Sequence, residues 1–267
     1  MHLKRWLTAI VLIPILILVI GPGPRWIFYI LLCVVSLAGL AEFYRISGAH
    51  LPRFVRWSCH FLSLLLFLAI YLRQILLAPV IIVLWALVPM TYFMLAHPSL
   101  DRELSSDISK AVLGPVYVVL PLALLELIDI LPNGNLWIFF LLSVIIASDT
   151  FAFYAGRLLG RHKLHEAISP GKTWEGAIGG VIGSLLAAIL FLKIVPIHPL
   201  NMGILLLAFA LSVSGQAGDL VESMLKRCQG VKDSGRILPG HGGILDRIDG
   251  VIFAIPVLYL YISLWVI

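Results

Sequence analysis

The sequence predicts an all-α polytopic integral membrane protein of about nine transmembrane helices, with its N-terminus in the cytoplasm. Three observations lead there. Of the 267 residues, 61% are hydrophobic and 12% charged, where an ordinary globular domain carries roughly 25% charged residues. A soluble fold of that composition could not cover its surface. The apolar runs recur from Trp6 to Ile267 and give a mean hydropathy of +1.04, so the excess is not confined to one targeting segment. At about 20 residues per crossing, the chain holds roughly nine spans with short loops and has no room for a large extramembrane domain.

Apolar runs bounded by charge or by Pro/Gly clusters place the spans at 6–20, 26–46, 58–73, 75–96, 111–131, 136–158, 175–195, 203–226 and 249–267. The first follows Lys4-Arg5 and imitates a signal peptide. It runs into Gly21-Pro22-Gly23-Pro24 with no small-x-small cleavage pattern, so a retained span is expected. The third and fourth meet at Arg73-Gln74, and the fourth carries Pro79 and Pro89. Residues 1–135 read as a scaffold with a capacity for dimer contacts, and 136–267 as the catalytic helices and their cytoplasmic loops.

Lysine and arginine orient these spans. The N-terminus and the even-numbered loops hold 16 of them, and the opposite side only Arg25, Arg73 and Lys193. That asymmetry puts the N-terminus in the cytoplasm, and the pI near 9.2 then reflects topology rather than nucleic-acid binding. The cysteines Cys33, Cys59 and Cys228 are far apart and show no CxxC pairing, so free thiols are expected.

The two halves differ in character. In the first, Glu126 and Asp129 fall near an outer helix end, where solvated carboxylates are expected. In the second, polar residues enter the membrane. Asp149 lies 13 residues after Leu136 and Asp219 lies 16 after Gly203, which places them about 20 and 24 Å down two helices running the same way. Ionisable groups at such depth are costly unless paired, hydrated or metal-bound, and default to a functional site.

Further along come Ser223, Lys226-Arg227, Lys232-Asp233, Pro239-Gly240-His241-Gly242-Gly243 and Asp246-Arg247-Ile248-Asp249. Asp246 and Asp249 are three apart and share a face on a helical turn, where oxygen ligands could hold magnesium. The simpler reading is acidic residues matching a helix macrodipole. Gly242 and Gly243 let the backbone approach a ligand and present N–H groups to an anion. Lys226, Arg227, Lys232 and Arg247 would neutralise polyphosphate charge, and His241 could donate to a phosphate or move a proton. Ser223 stands at i+4 from Asp219 and shares its face. A second segment, Ser169-Pro170-Gly171-Lys172-Thr173-Trp174-Glu175-Gly176, contains GKT but has Glu166 where a P-loop needs its first glycine. It reads instead as a helix N-terminus capped by Thr173, with Lys172 facing an anion.

From Ser223 to Asp249 the chain reads S-x-x-K-R-x4-K-D-x-G-x-x-L-P-G-H-G-G-x-x-D-R-x-D, and this resembles the signature of the bacterial-type phosphatidate cytidylyltransferase, or CDP-diacylglycerol synthase, family. The resemblance extends to Asp149-Thr150 and to Ser169-Pro170-x-Lys172-Thr173-x-Glu175-Gly176, covering the C-terminal half. It implies that CTP and phosphatidic acid give CDP-diacylglycerol and pyrophosphate with magnesium, in a membrane dimer whose polar cavity opens to the cytoplasm and to lipid. It also allows a monovalent cation, potassium, beside the magnesium. On that reading Asp219, Asp246 and Asp249 are cation ligands and, with Lys226 and Arg227, the catalytic set. Asp149, Lys172, Thr173, Glu175, Ser223, Lys232, Asp233, His241, Gly242, Gly243 and Arg247 bind substrate.

Two alternatives remain open on the residues alone: a CTP-dependent polyprenol or phytol kinase, and an ion-coupled transporter with intramembrane carboxylates. The transporter reading expects symmetric discontinuous spans, and none is seen. A CDP-alcohol phosphotransferase is disfavoured because its D-G-x-x-A-R…G-x3-D-x3-D pattern is missing.

Overall fold

The computed structural model describes residues 14–96, 102–235 and 242–266. It is an all-α membrane protein, with eight helices among the described residues long and apolar enough to cross a bilayer. The expected first span lies partly outside the described residues, of which 14–20 are helical. The chain divides into two compact units, Met1–Leu127 with Cys228–Asp246, and Ile128–Arg227 with Arg247–Ile267.

In the first unit, α1 (Arg25–Ile46), α2 (Arg53–Tyr71) and α3 (Ala78–Ala96) are followed by α4 (Arg102–Gly114), a π-turn (Pro115–Val119) and α5 (Leu120–Ile130), whose last turn enters the second unit. Pro115 lacks the N–H that an α-helical bond at its position would use, and the widened turn accommodates it. The bundle is pinned at Ala111, whose carbonyl accepts from the Tyr44 hydroxyl at 3.1 Å and the Cys59 thiol at 3.8 Å. The expected division at Arg73-Gln74 is present: Arg73 turns the chain with φ 62° between α2 and a short 3-10 helix, Ile75–Leu77. Glu126 is fully buried and Asp129 is 8% exposed, so the expectation of solvated carboxylates at this helix end is corrected. Leu122, Ala123, Leu125 and Ile128 of the same helix are buried too, so the helix is covered around most of its circumference and its carboxylates are covered with it.

The second unit contains α6 (Gly134–Leu159), a two-stranded antiparallel hairpin of β1 (Lys163–His165) and β2 (Ser169–Thr173), then α7 (Trp174–Ile194), α8 (Met202–Cys228) and the body of α9 (Leu245–Trp265). Helix α7 is inside-out by soluble standards. Gly176, Gly180, Gly183, Ser184 and Ala188 are buried, whereas Ile178, Ile182, Leu186 and Leu190 face outward, each half exposed or more. That is the arrangement lipid demands, since burying large apolar groups gains little in a bilayer and small residues let backbones approach. A side chain on Gly180 would come within 2.8 Å of Gln216 Nε2 and 3.1 Å of the Ser148 carbonyl. Polar contacts join the same helices: Ser148 and Ser212 hydroxyls meet at 2.8 Å, and Gln216 Nε2 donates to Ala177 O at 3.2 Å and Ser212 Oγ at 3.1 Å. All three cysteines are free thiols.

Candidate active site

Within the second unit the polar residues converge on Asp219, on the second half of α8. Lys172, the penultimate residue of β2, reaches it with Nζ 2.8 Å from Oδ2. Ser223, one turn further along α8, donates from Oγ to Oδ1 at 3.4 Å. Asp149 on α6 feels the charges of both Asp219 and Lys172, and Asp249 on α9 those of Asp219, Asp149 and Lys226. Three helices and the hairpin therefore bring three carboxylates within electrostatic reach of one another, with Lys172 acting on Asp219 and Asp149 and Lys226 on Asp249. Asp219 stays 44% exposed, so this group faces open space and is no packing element.

Close backbone approach makes the convergence possible. Helices α8 and α9 cross where Gly215 and Gly218 lie against Asp249 and Gly250. A side chain on Gly250 would stand 3.2 Å from the Gly215 carbonyl oxygen. With no Cβ between them, the α9 backbone at Asp249 comes directly beside that of Gly218.

The hairpin is built to aim Lys172. Thr173 is the N-cap of α7, its hydroxyl accepting from the Gly176 amide at 3.1 Å in extended backbone geometry (φ −132°, ψ 156°), the capping role the sequence predicts. Lys163 Nζ ties the hairpin through Pro170 O at 2.7 Å. Glu175 turns back to accept from the Arg161 amide at 3.1 Å and from His162 Nδ1 at 2.6 Å, so its carboxylate organises the turn before β1. Thr173→Ala removes the cap and should cost about 1 kcal/mol, seen as a lower thermal midpoint of the purified protein in detergent. An unchanged midpoint would mean that the cap contributes nothing.

Lys226 pairs with Glu222, fully buried one turn earlier, a partner the sequence reading passed over. Arg227 Nε donates to Ile168 O at 3.4 Å, and Arg247 is exposed.

The first unit holds the remaining signature residues. Lys232 and Asp233 line an open cleft of about 400 Å³ with Arg45, Val231 and Gly235. Asp246, in the first turn of α9, has Oδ2 held by the amides of Ser234 at 2.9 Å and Gly243 at 2.8 Å. Gly242 has φ 82°, and a side chain there would sit 2.6 Å from Asp246 Oδ2. The glycines thus bring backbone donors up to the chain's own carboxylate. His241 lies outside the described residues.

The donor chemistry around Asp219 is oxygen only. Among the described residues no group of three or more His, Cys, Asp or Glu forms a preformed metal cage. Magnesium, however, commonly takes one or two carboxylates and completes its shell with phosphate oxygens and water, and these residues fit that requirement.

Fold and site together define an integral membrane protein with a lysine-paired acidic cluster set among its spans. The chain belongs to the cytidylyltransferase family, whose model matches residues 3–265. Similar proteins named phosphatidate cytidylyltransferase include one from Staphylococcus saprophyticus, 40% identical over 173 residues, 65% of this chain and 66% of the relative. Another from Staphylococcus haemolyticus is 43% identical over 176 residues, with 65% and 66% covered. A third from Brucella abortus is 47% identical over 130 residues, 49% and 48% of the two chains. The chain thus spans about two thirds of the length of the staphylococcal relatives and about half of the Brucella one.

Proposed function

We propose that this chain transfers the cytidylyl group of CTP to phosphatidic acid, releasing pyrophosphate and leaving CDP-diacylglycerol in the membrane. The observation that carries the reading is the Lys172–Asp219–Ser223 cluster with Asp149 and Asp249 around it. Family membership and the names of the relatives support it. The 16-to-3 division of basic residues supports a site facing the cytoplasm, where cytosolic CTP meets a lipid that never leaves the leaflet, and the proposal places the protein in the cell inner membrane. A homodimer built on the N-terminal helices belongs to the same proposal.

In the reaction an oxygen of the lipid phosphate forms a bond to the α-phosphorus of CTP. The bond from that phosphorus to the bridging oxygen breaks, and its electron pair leaves with pyrophosphate. Two anions must approach, so the protein's work is positioning and charge neutralisation rather than covalent catalysis. Lys172, Lys226, Arg227 and Lys232 hold phosphates, and Asp149 and Ser223 orient the groups facing them. Asp219, Asp246 and Asp249 are the residues that would hold magnesium, with potassium as an accompanying cation, and a bound cation would supply further neutralisation of the transferring phosphate.

Purified protein given phosphatidic acid, magnesium and CTP labelled at the α-phosphate should produce labelled lipid. Label entering lipid only from the γ-phosphate would instead establish a lipid kinase, and no label from either would overturn both readings.

A further inference from the structure

We infer that Glu42, a residue of the N-terminal helices with no place in the signature, is the positioning residue for Asp246; the inference rests on the function proposed above. Glu42 stands near the end of α1 and is 3% exposed. Its Oε2 accepts from the Ser234 hydroxyl at 3.0 Å and from the Leu245 amide, at the start of α9, at 2.8 Å. The same Ser234 hydroxyl accepts from the Asp246 amide at 3.3 Å, and the Ser234 amide donates to Asp246 Oδ2. One turn after Glu42, Arg45 donates to the Ser234 carbonyl. Glu42 and Asp246 are therefore joined through one serine, and each carboxylate accepts both from Ser234 and from a backbone amide at or just before the start of α9.

Two further observations separate this from ordinary packing. Glu42 Oε1 is buried without a hydrogen-bond partner among the described residues. A buried carboxylate so incompletely satisfied is a poor stabiliser beside an apolar side chain of the same size, so its usefulness lies in the geometry it imposes. Moreover, a side chain on either Gly235 or Gly243 would run into the Glu42 carboxylate. The signature's glycine at 243 is thus explained by a partner some 200 residues earlier in the chain, and bringing Gly243 this close puts its amide on Asp246 Oδ2.

Partners that orient a functional carboxylate typically cost 10- to 100-fold in activity when removed. With purified full-length protein in detergent, magnesium, phosphatidic acid and α-labelled CTP, Glu42→Ala should lower kcat by about 100-fold with KM for CTP little changed. Glu42→Gln, whose amide oxygen can still accept both bonds, should restore most of that loss. Ser234→Ala should lower kcat by about 10-fold, and the double variant should be no worse than Glu42→Ala alone, because both break one network. Hydrogen exchange gives a readout apart from turnover: the amides of Ser234, Gly243 and Leu245 should exchange faster in Glu42→Ala than in the wild type.

Wild-type kcat per folded molecule in Glu42→Ala, or a loss of thermal stability without a loss of kcat, overturns the inference. Should Glu42→Ala fail to fold, Ser234→Ala decides, since a wild-type kcat there overturns it equally. A wild-type protein that makes no labelled lipid overturns the proposed function instead, and does so before any variant is compared.

Discussion

Asp219→Asn should lower cytidylyl transfer by about 10³-fold while leaving the protein folded in the membrane. Asp219 is the point on which its unit's polar residues meet, with Lys172 Nζ on one oxygen at 2.8 Å and Ser223 Oγ on the other at 3.4 Å. Asparagine keeps the shape and one acceptor, so Ser223 retains a partner, but the charge is gone. Lys172 then loses its anion, and the surrounding carboxylates at Asp149 and Asp249 lose a neighbour of like charge. Because the side chain is 44% exposed, little packing depends on it, and an exposed ion pair is worth at most about 1 kcal/mol to stability. The loss should therefore fall on kcat. The check is labelled-lipid formation per milligram of membrane-inserted protein, alongside a thermal melt. Near-normal turnover in a well-folded variant would remove Asp219 from the chemistry.

How much of this was legible in advance follows from what a bilayer enforces. Spans were readable because lipid requires about 20 apolar residues per crossing, and the sixth, seventh and eighth observed helices begin and end within about two residues of the expected positions. The fifth span was expected from residue 111 but its helix begins at Arg102, because Arg102–Gly114 is polar along much of its length and an apolar-run rule does not see it. Asp149 and Asp219 stood out because charge inside a span is expensive, and Thr173 because capping is a local property. Pairings between distant segments were not readable. Nothing local says that Lys172 reaches Asp219, or that Lys226 meets a buried Glu222 rather than open space. Glu42 was hidden most completely: it sits 192 residues from Ser234, in a helix whose composition marks it only as scaffold. Its importance exists only once the chain has folded.

Gly218→Ala carries the second large effect, and it isolates geometry from charge. A methyl group on Gly218 would drive into the carbonyl oxygen of Asp249 and stand 3.1 Å from Phe253 Cδ2. The obstacle is backbone, which cannot rotate away as a side-chain tip could, so α8 and α9 must separate by about 1 Å to reach ordinary contact. Overpacking of this kind costs about 1–3 kcal/mol. Its larger consequence is at the site, because Asp249 is the very residue displaced and Asp219 is the next residue on the other helix. A misplacement near 1 Å at a reacting centre costs about 100-fold in rate, so kcat should fall by that order even where most molecules remain folded. Gly171→Ala is the matched comparison: it lies in the hairpin near Lys172, yet among the described residues nothing stands within 4 Å of an added methyl. It should leave turnover close to the wild type. Equal activity of the two variants would mean that the α8–α9 approach does not set the position of Asp249. A hundredfold gap between them, at similar amounts of folded protein, ties the rate to the distance between two backbones.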